Sequence, residues 1–255
     1  MTTFFSDWYY LSIRNIKLIW RPLMALLPPF FMPIFFFAVN SLSLSSFAKV
    51  PGFPDVSYKD FIAPVAIFTA IFFSAGNAGI ELVQDIQSGY FKKLVIMPIN
   101  RLSIVLAKLT EIAVQSILQG VVMLILLLVW GVTIKTGFFG VLAMFGMLIL
   151  FAMAWSCIGM ISALRTQNAR LVQSLFILVF PLLYLTTSQS PRELLPSTFA
   201  QITDYNPVTY IIEGIRALVL DGWGNPDIAY GFYAAAGMFI VLVTLTVMSF
   251  RKAIK

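Results

Sequence analysis

ELVQDIQSGYFKKLVIMPINR, residues 81–101, lies between two long apolar stretches. It carries Glu81 and Asp85, then Gly89, then Lys92, Lys93 and Arg101 around Pro98. Charges are scarce elsewhere, since 60% of the 255 residues are hydrophobic and only 11% are charged. A soluble domain carries roughly 25% charged residues. A concentration of charge in such a chain marks a place where it leaves the bilayer.

Working outward, the composition describes a chain dissolved largely in lipid, with a mean hydropathy of +0.91 and 24 phenylalanines. There is no histidine, which excludes imidazole acid–base chemistry and histidine-bound zinc. The single cysteine, Cys157, sits in an apolar run and reads as a packing residue, so no intrachain disulfide or thiolate cluster is expected. The net charge of +6 could suggest nucleic acid. However, the basic residues cluster at the ends of apolar runs, which is the pattern of membrane topology, and no nucleic-acid partner is expected. The first residues, MTTFFSDWYYLSIRNIKLIWRPL, lack the basic start and small-residue cleavage site of a signal peptide.

A helix needs about 20 apolar residues to cross the hydrocarbon core. Six segments qualify as expected spans: 22–43, 61–82, 112–134, 138–162, 169–187 and 228–250. Pro28, Pro29 and Pro33 predict a bent or broken first span, and Pro181 a kink in the fifth. With both termini in the cytosol, 12 of 17 Lys and Arg residues fall inside, and 7 of 11 acids fall outside. That bias sets the expected orientation. The fold class is therefore an all-α integral membrane protein, one domain over residues 1–255.

Residues 1–21 wind into an amphipathic helix. Phe5, Tyr9, Ile13, Ile16 and Trp20 form one stripe, and Arg14, Lys17 and Arg21 an adjoining one. With Trp8 as a further aromatic anchor, this is the pattern of a helix lying in the membrane interface beside lipid headgroups. On the helix ending the second span, Ser74, Asn77, Glu81, Gln84 and Ser88 share a face. Arg101, Lys108, Glu111, Gln115 and Gln119 share one on the helix entering the third. Polar groups facing hydrocarbon are costly. Asn77, Glu81, Gln115 and Gln119 are therefore candidates for a hydrated vestibule or for interhelical hydrogen bonds. For Arg101, Lys108 and Glu111, helix ends projecting into water explain the pattern equally well.

Between these faces Gly89 should end one helix and Pro98 start the next. That leaves YFKKLVIM, residues 90–97, as a short transverse helix. Lys92 and Lys93 occupy its centre, and Tyr90, Phe91, Leu94 and Val95 form an apolar portion, which suits docking into a groove of a soluble partner. An ordinary basic loop would need only the charges. Outside, residues 188–227 contain Asn206-Pro207, a strong helix start. Val208, Ile211, Ile212, Ile215, Leu218 and Val219 then form an apolar face, with Thr209, Glu213 and Arg216 opposite and Gly222 at the end. This outer helix is expected along the outer membrane face or dipping into it. There is no phosphate-binding G-x-x-x-x-G-K-[ST], no nucleophile elbow and no acid–base pair deep in the membrane, so the chain has no evident energy source of its own.

Asp85, Gly89, Lys93, Leu94, Pro98, Arg101 and Lys108, in this order, resemble the cytosolic loop of the permease subunits of type-2 ATP-binding-cassette exporters. Leu195-Pro196 and YNPVTYIIEGIRALVL, with Asn206, Pro207, Tyr210 and Arg216, resemble the same family's last outer segment. Gln87-Ser88 stands where the family often has a charged pair. The resemblance implies six spans, an interface helix at 1–21 and a coupling helix within 85–101. Asp85, Gly89, Tyr90, Phe91, Lys92, Lys93, Leu94, Pro98 and Arg101 would there contact an ATP-binding subunit. It further implies an external gate of re-entrant or interfacial helices that includes Pro196, Asn206, Pro207, Tyr210, Glu213 and Arg216. ATP and Mg would be bound by the partner's dimer, a second permease copy would complete the pathway, and the location would be the plasma membrane. The proline-laden PPFFMPIFFFAV resembles the drug- and lipid-exporting branch. A polysaccharide or glycolipid exporter of the same architecture, a stand-alone carrier and an intramembrane enzyme are the alternatives.

Overall fold

The computed structural model describes residues 2–19 and 28–253, and among them there is no β-strand. Eleven α-helices follow one another: α1 (Thr2–Ile19), α2 (Pro28–Ser43), α3 (Tyr58–Gly76), α4 (Ala78–Gln87), α5 (Tyr90–Ile96), α6 (Arg101–Val129), α7 (Gly137–Thr166), α8 (Ala169–Val179), α9 (Ser197–Tyr205), α10 (Pro207–Leu220) and α11 (Asp227–Ala253). Four segments are long and apolar enough to cross a bilayer: Tyr58–Gln87, Arg101–Val129, Gly137–Thr166 and Asp227–Lys252. The first and fifth expected spans correspond to shorter apolar helices, Phe30–Ser43 and Ala169–Leu183.

The prolines behave differently from one another. Pro28 and Pro29 open α2, where a helix needs no backbone N–H, and the helix runs through Pro33 to Ser43 without the expected break. Pro181 acts as expected, since α8 ends at Val179 and tightens into a 3₁₀ turn over Phe180–Leu183. The expected second span is interrupted at Asn77, whose N–H donates to Ser74 O at 3.1 Å, one residue short of the α-helical partner. Glycines flank this point, and one of them brings backbones together. A Cβ on Gly79 of α4 would lie 2.5 Å from the carbonyl oxygen of Gly159 in α7.

The centre of the bundle is α3, with 15 of its 19 residues buried. Phe68 lies 4.4 Å from Phe151, and Phe72 4.5 Å from Trp155, ring centroid to centroid, which locks α3 to α7. Lipid is as apolar as phenylalanine, so helix association here rests on close packing rather than on escape from water. Cys157 is buried and unpaired within this core.

Helix α10 is the element expected along the outer membrane face or dipping into it. Eleven of its 14 residues are buried, Thr209 and Arg216 of its polar face included. It packs against α3, α7 and α11. Close approach is possible because Gly214 meets Gly231 of α11, with a Cβ on Gly214 falling 3.1 Å from the Gly231 Cα. The polar face can turn inward because its charge is neutralised there.

Candidate functional site

The first site is built on the reversal at residue 89. Gly89 has φ +76°, a left-handed conformation that a side chain would strain. The N–H groups of Ser88 and Gly89 return to Gln84 O and Ile86 O at 2.9 and 3.1 Å, closing α4. The expected transverse helix forms as α5. Pro98 lies in the connection rather than at the start of the next helix. Asn100 is the cap of α6, its side chain accepting from the Leu102 N–H at 3.0 Å, and Arg101 is the first helical residue. A capping asparagine satisfies an orphan donor that proline could only avoid.

Helix α5 has two unlike faces. Leu94 is buried, and the Phe91 ring meets Phe250 of α11 edge-on at 5.5 Å. The Arg14 guanidinium sits 3.6 Å above the Tyr90 ring, and 3.7 Å from Asp85. Burial pushes the Tyr90 phenol up from its ordinary pKa, with the Arg14 charge pulling the other way. On the opposite side Lys92, Lys93, Ile96 and Met97 are exposed, Ile96 at 83%. An exposed pair of lysines thus lies beside exposed apolar side chains, on a helix anchored from behind.

Helix α1 holds this region in place. Trp8 Nε1 donates to Thr110 Oγ1 at 2.9 Å, Ser103 Oγ donates to Phe4 O at 3.1 Å, and the Asn100 N–H donates to Asp7 Oδ2 at 3.2 Å. Phe5 and Tyr9 are exposed. Arg14 corrects the expected lipid-facing cation stripe, because it points at Tyr90 and Asp85, while Lys17 stays exposed. Trp20 and Arg21 lie outside the described residues.

Behind α5, Lys108 Nζ joins Glu81 Oε2 at 2.7 Å and Glu111 Oε2 at 2.9 Å. The Lys108 and Glu111 side chains are only 11% and 8% exposed, so they are not solvated helix ends. One ammonium between two carboxylates ties α4 to α6. Of the pathway candidates, Glu81 is thus engaged by Lys108, Asn77 is exposed at the helix interruption, and Gln115 is half-buried. Gln119 is fully buried, with no hydrogen-bond partner for its amide among the described residues. Among the described residues Asn77 makes no side-chain hydrogen bond, and of the four candidates Glu81 alone is held in an ion pair.

A second site centres on Arg216, buried to 6% exposure. Its guanidinium donates to Glu213 Oε1 at 2.6 Å, to Thr187 O at 2.9 Å and to Phe61 O at 3.3 Å, and lies 3.8 Å over the Phe61 ring. Thr187 Oγ1 donates to the same Glu213 oxygen. Asn206 caps α10 through the Val208 N–H, and its Nδ2 donates to Leu182 O and Leu185 O at 2.8 and 2.9 Å, with Pro207 the first helical residue. Tyr210 Oη donates to Asp204 O at 2.8 Å. Asp204 takes a two-pronged bond from Arg192, which holds its carboxyl below the ordinary aspartate range. Pro196 is exposed ahead of α9. The Glu213–Arg216 spacing was readable as an i,i+3 pair. The Thr187 and Phe61 carbonyls were not, because backbone acceptors from distant segments leave no mark on sequence. Among the described residues no cluster of acids or cysteine is placed to hold a metal.

The family model described as ABC-2 type transporter matches residues 6–220. A protein of Cyanophora paradoxa, named transport permease ycf38, is 29% identical over 165 residues, covering 64% of this chain and 56% of that protein. The chain thus spans little more than half the length of that relative. The daunorubicin resistance ABC transporter permease DrrB1 of Streptomyces coeruleorubidus is 23% identical over 76% of this chain and 69% of its own length. A doxorubicin resistance ABC transporter permease, DrrC, of Mycobacterium tuberculosis is 20% identical over 87% of this chain and 80% of its own. A match over most of the chain, on a membrane-spanning helical bundle, places this protein in the ABC-2 type transporter family of permeases.

Proposed function

We propose that this chain is the membrane half of an ATP-driven exporter, with α5 as the coupling helix. Permeases of this family leave ATP hydrolysis to a separate subunit. The observation that carries the reading is the two-faced α5: Lys92, Lys93, Ile96 and Met97 are free on one side, while Phe91 and Leu94 are seated in the bundle on the other. Both termini and α5 are cytosolic in this reading, with the six segments read from the sequence crossing the plasma membrane. ATP and Mg are held by the partner's dimer, and a second permease copy completes the pathway. Asn77, Gln115 and Gln119 are its polar points on the pathway, and the Arg216 cluster is its external gate.

The cargo is an apolar or amphipathic molecule such as a drug, a lipid or a secondary metabolite. Support comes from the names of the Streptomyces and Mycobacterium relatives and from 11 methionines and 24 phenylalanines, side chains that repack around varied shapes. The test is co-purification with the ATP-binding subunit after residues 89–98 are replaced by a flexible Gly-Ser linker. Loss of the complex, with the permease still folded, is expected. An intact complex would remove α5 from the coupling role.

A further inference from the structure

A second feature of the inner side lies apart from the exposed face of α5. Between the start of α6 and the end of α11 is an open cleft of about 460 Å³ lined by Asn100, Arg101, Leu102, Val105, Val247, Phe250 and Arg251. That volume is in the range of about 300–1,000 Å³ typical of small-ligand sites. Its rim is cationic, with both arginines exposed, and among the described residues neither forms an ion pair. Asp7, the acid beside Asn100, accepts from the Asn100 N–H. Its floor is apolar, with Val105 and Phe250 buried. Exposed Leu102 and Leu106, one turn apart on α6, continue the apolar surface toward the bilayer core.

We infer that this cleft binds an anionic phospholipid of the inner leaflet, the phosphate between Arg101 and Arg251 and an acyl chain along Leu102 and Val247. The charge pattern selects this occupant. Guanidinium groups bind phosphate oxygens by paired, charge-assisted hydrogen bonds. Both arginines stand where an apolar helix meets its polar end, the level of lipid headgroups. A soluble anion would use the rim and leave the apolar floor uncovered. The cleft also communicates with α5, because Phe250 forms part of its floor and touches Phe91. The inference rests on the orientation proposed above, with the ends of α6 and α11 in the cytosol.

The test uses the purified full-length permease in detergent with added phosphatidylglycerol and phosphatidylcholine, bound lipid being counted by native mass spectrometry. The expected result is retention of phosphatidylglycerol over phosphatidylcholine. That preference should fall on the order of tenfold in Arg101→Gln/Arg251→Gln, since each basic group near an anionic lipid contributes a few-fold. It should be unchanged in the control Arg165→Gln/Arg170→Gln. Val247→Trp, which keeps both charges and fills the floor, should also lose phosphatidylglycerol. No preference, an equal fall in the control pair, or full displacement by millimolar inorganic phosphate would overturn the lipid site. Should the arginine pair variant fail to fold, Val247→Trp alone decides. Orientation is read separately, by labelling Arg251→Cys from each side of sealed vesicles in a Cys157→Ala background. Labelling only from outside would refute the inner-leaflet assignment and the proposed topology while leaving the detergent result to stand by itself.

Discussion

Lys108 shows what one side chain does in this bundle. Among the described residues it is the one cation paired with both Glu81 and Glu111, and removing it leaves the buried Glu111 carboxylate without its counter-charge and beside a second, partly exposed carboxylate. Breaking a buried pair by deleting one partner typically costs about 3–5 kcal/mol, whereas removing the whole cluster is far cheaper. Lys108→Met should therefore lower stability by about that amount, read by thermal or denaturant unfolding in detergent. Glu81→Gln/Lys108→Met/Glu111→Gln should recover most of it. Equal loss in both variants would mean the cluster is not electrostatically coupled. At the outer surface, Arg192 holds the Asp204 carboxyl below its ordinary range. A carboxylate with a depressed folded pKa contributes stability above its unfolded pKa and loses it as pH falls through the folded value. The link between residues 192 and 204 should thus survive through the ordinary aspartate range near pH 4 and open only below it. Asp204→Asn should lack this transition when proteolysis of the outer loop is followed against pH.

At the scale of elements, close helix crossings matter more than side-chain size. Gly79 admits α7 to backbone contact, so Gly79→Ala pushes a Cβ into the Gly159 carbonyl and should cost about 1–3 kcal/mol, as overpacking does. Gly237 in α11 has open space around its would-be Cβ, so Gly237→Ala should be neutral or slightly stabilising. The same unfolding assay distinguishes the two. Much at this scale was legible in the sequence. Gly89 ended α4, the seven residues of α5 formed, Asn206-Pro207 started α10, and Pro181 ended α8, because each rests on a local backbone rule. What was not legible required partners far along the chain. Arg14 was read by periodicity as lipid-facing, yet it stacks on Tyr90, 76 residues away. The polar face of α10 turned inward for the same reason, since Glu213 neutralises Arg216 and the distant carbonyls of Phe61 and Thr187 accept its remaining N–H groups. Periodicity reports that a face is polar, and it does not say whether protein or water meets it.

For the whole molecule, the coupling role proposed for α5 requires that a push on it become movement of the spans. The inner face of α5 meets α11 through Phe91 and Phe250, and meets α1 and α4 through Tyr90, Arg14 and Asp85. Helix α4 is in turn fixed to α6 by Lys108 and to α7 at Gly79. A force on α5 would therefore reach five helices, α1, α4 and α11 directly and α6 and α7 through α4, by discrete contacts rather than through a flexible loop, the condition for rigid-body motion. Gripping and transmitting are then separable by face. Lys92→Glu/Lys93→Glu changes only exposed groups and should abolish capture of the ATP-binding subunit while leaving the permease folded. Phe91→Ala leaves the exposed face intact, so the complex should assemble, but ATP-driven efflux from the reconstituted complex should fall about tenfold as the Phe250 contact is lost. Both variants are compared by co-purification and by transport in proteoliposomes. If Phe91→Ala loses the partner while the double lysine variant keeps it, the faces of α5 are assigned the wrong way round, and force would have to enter the bundle through the side now read as free.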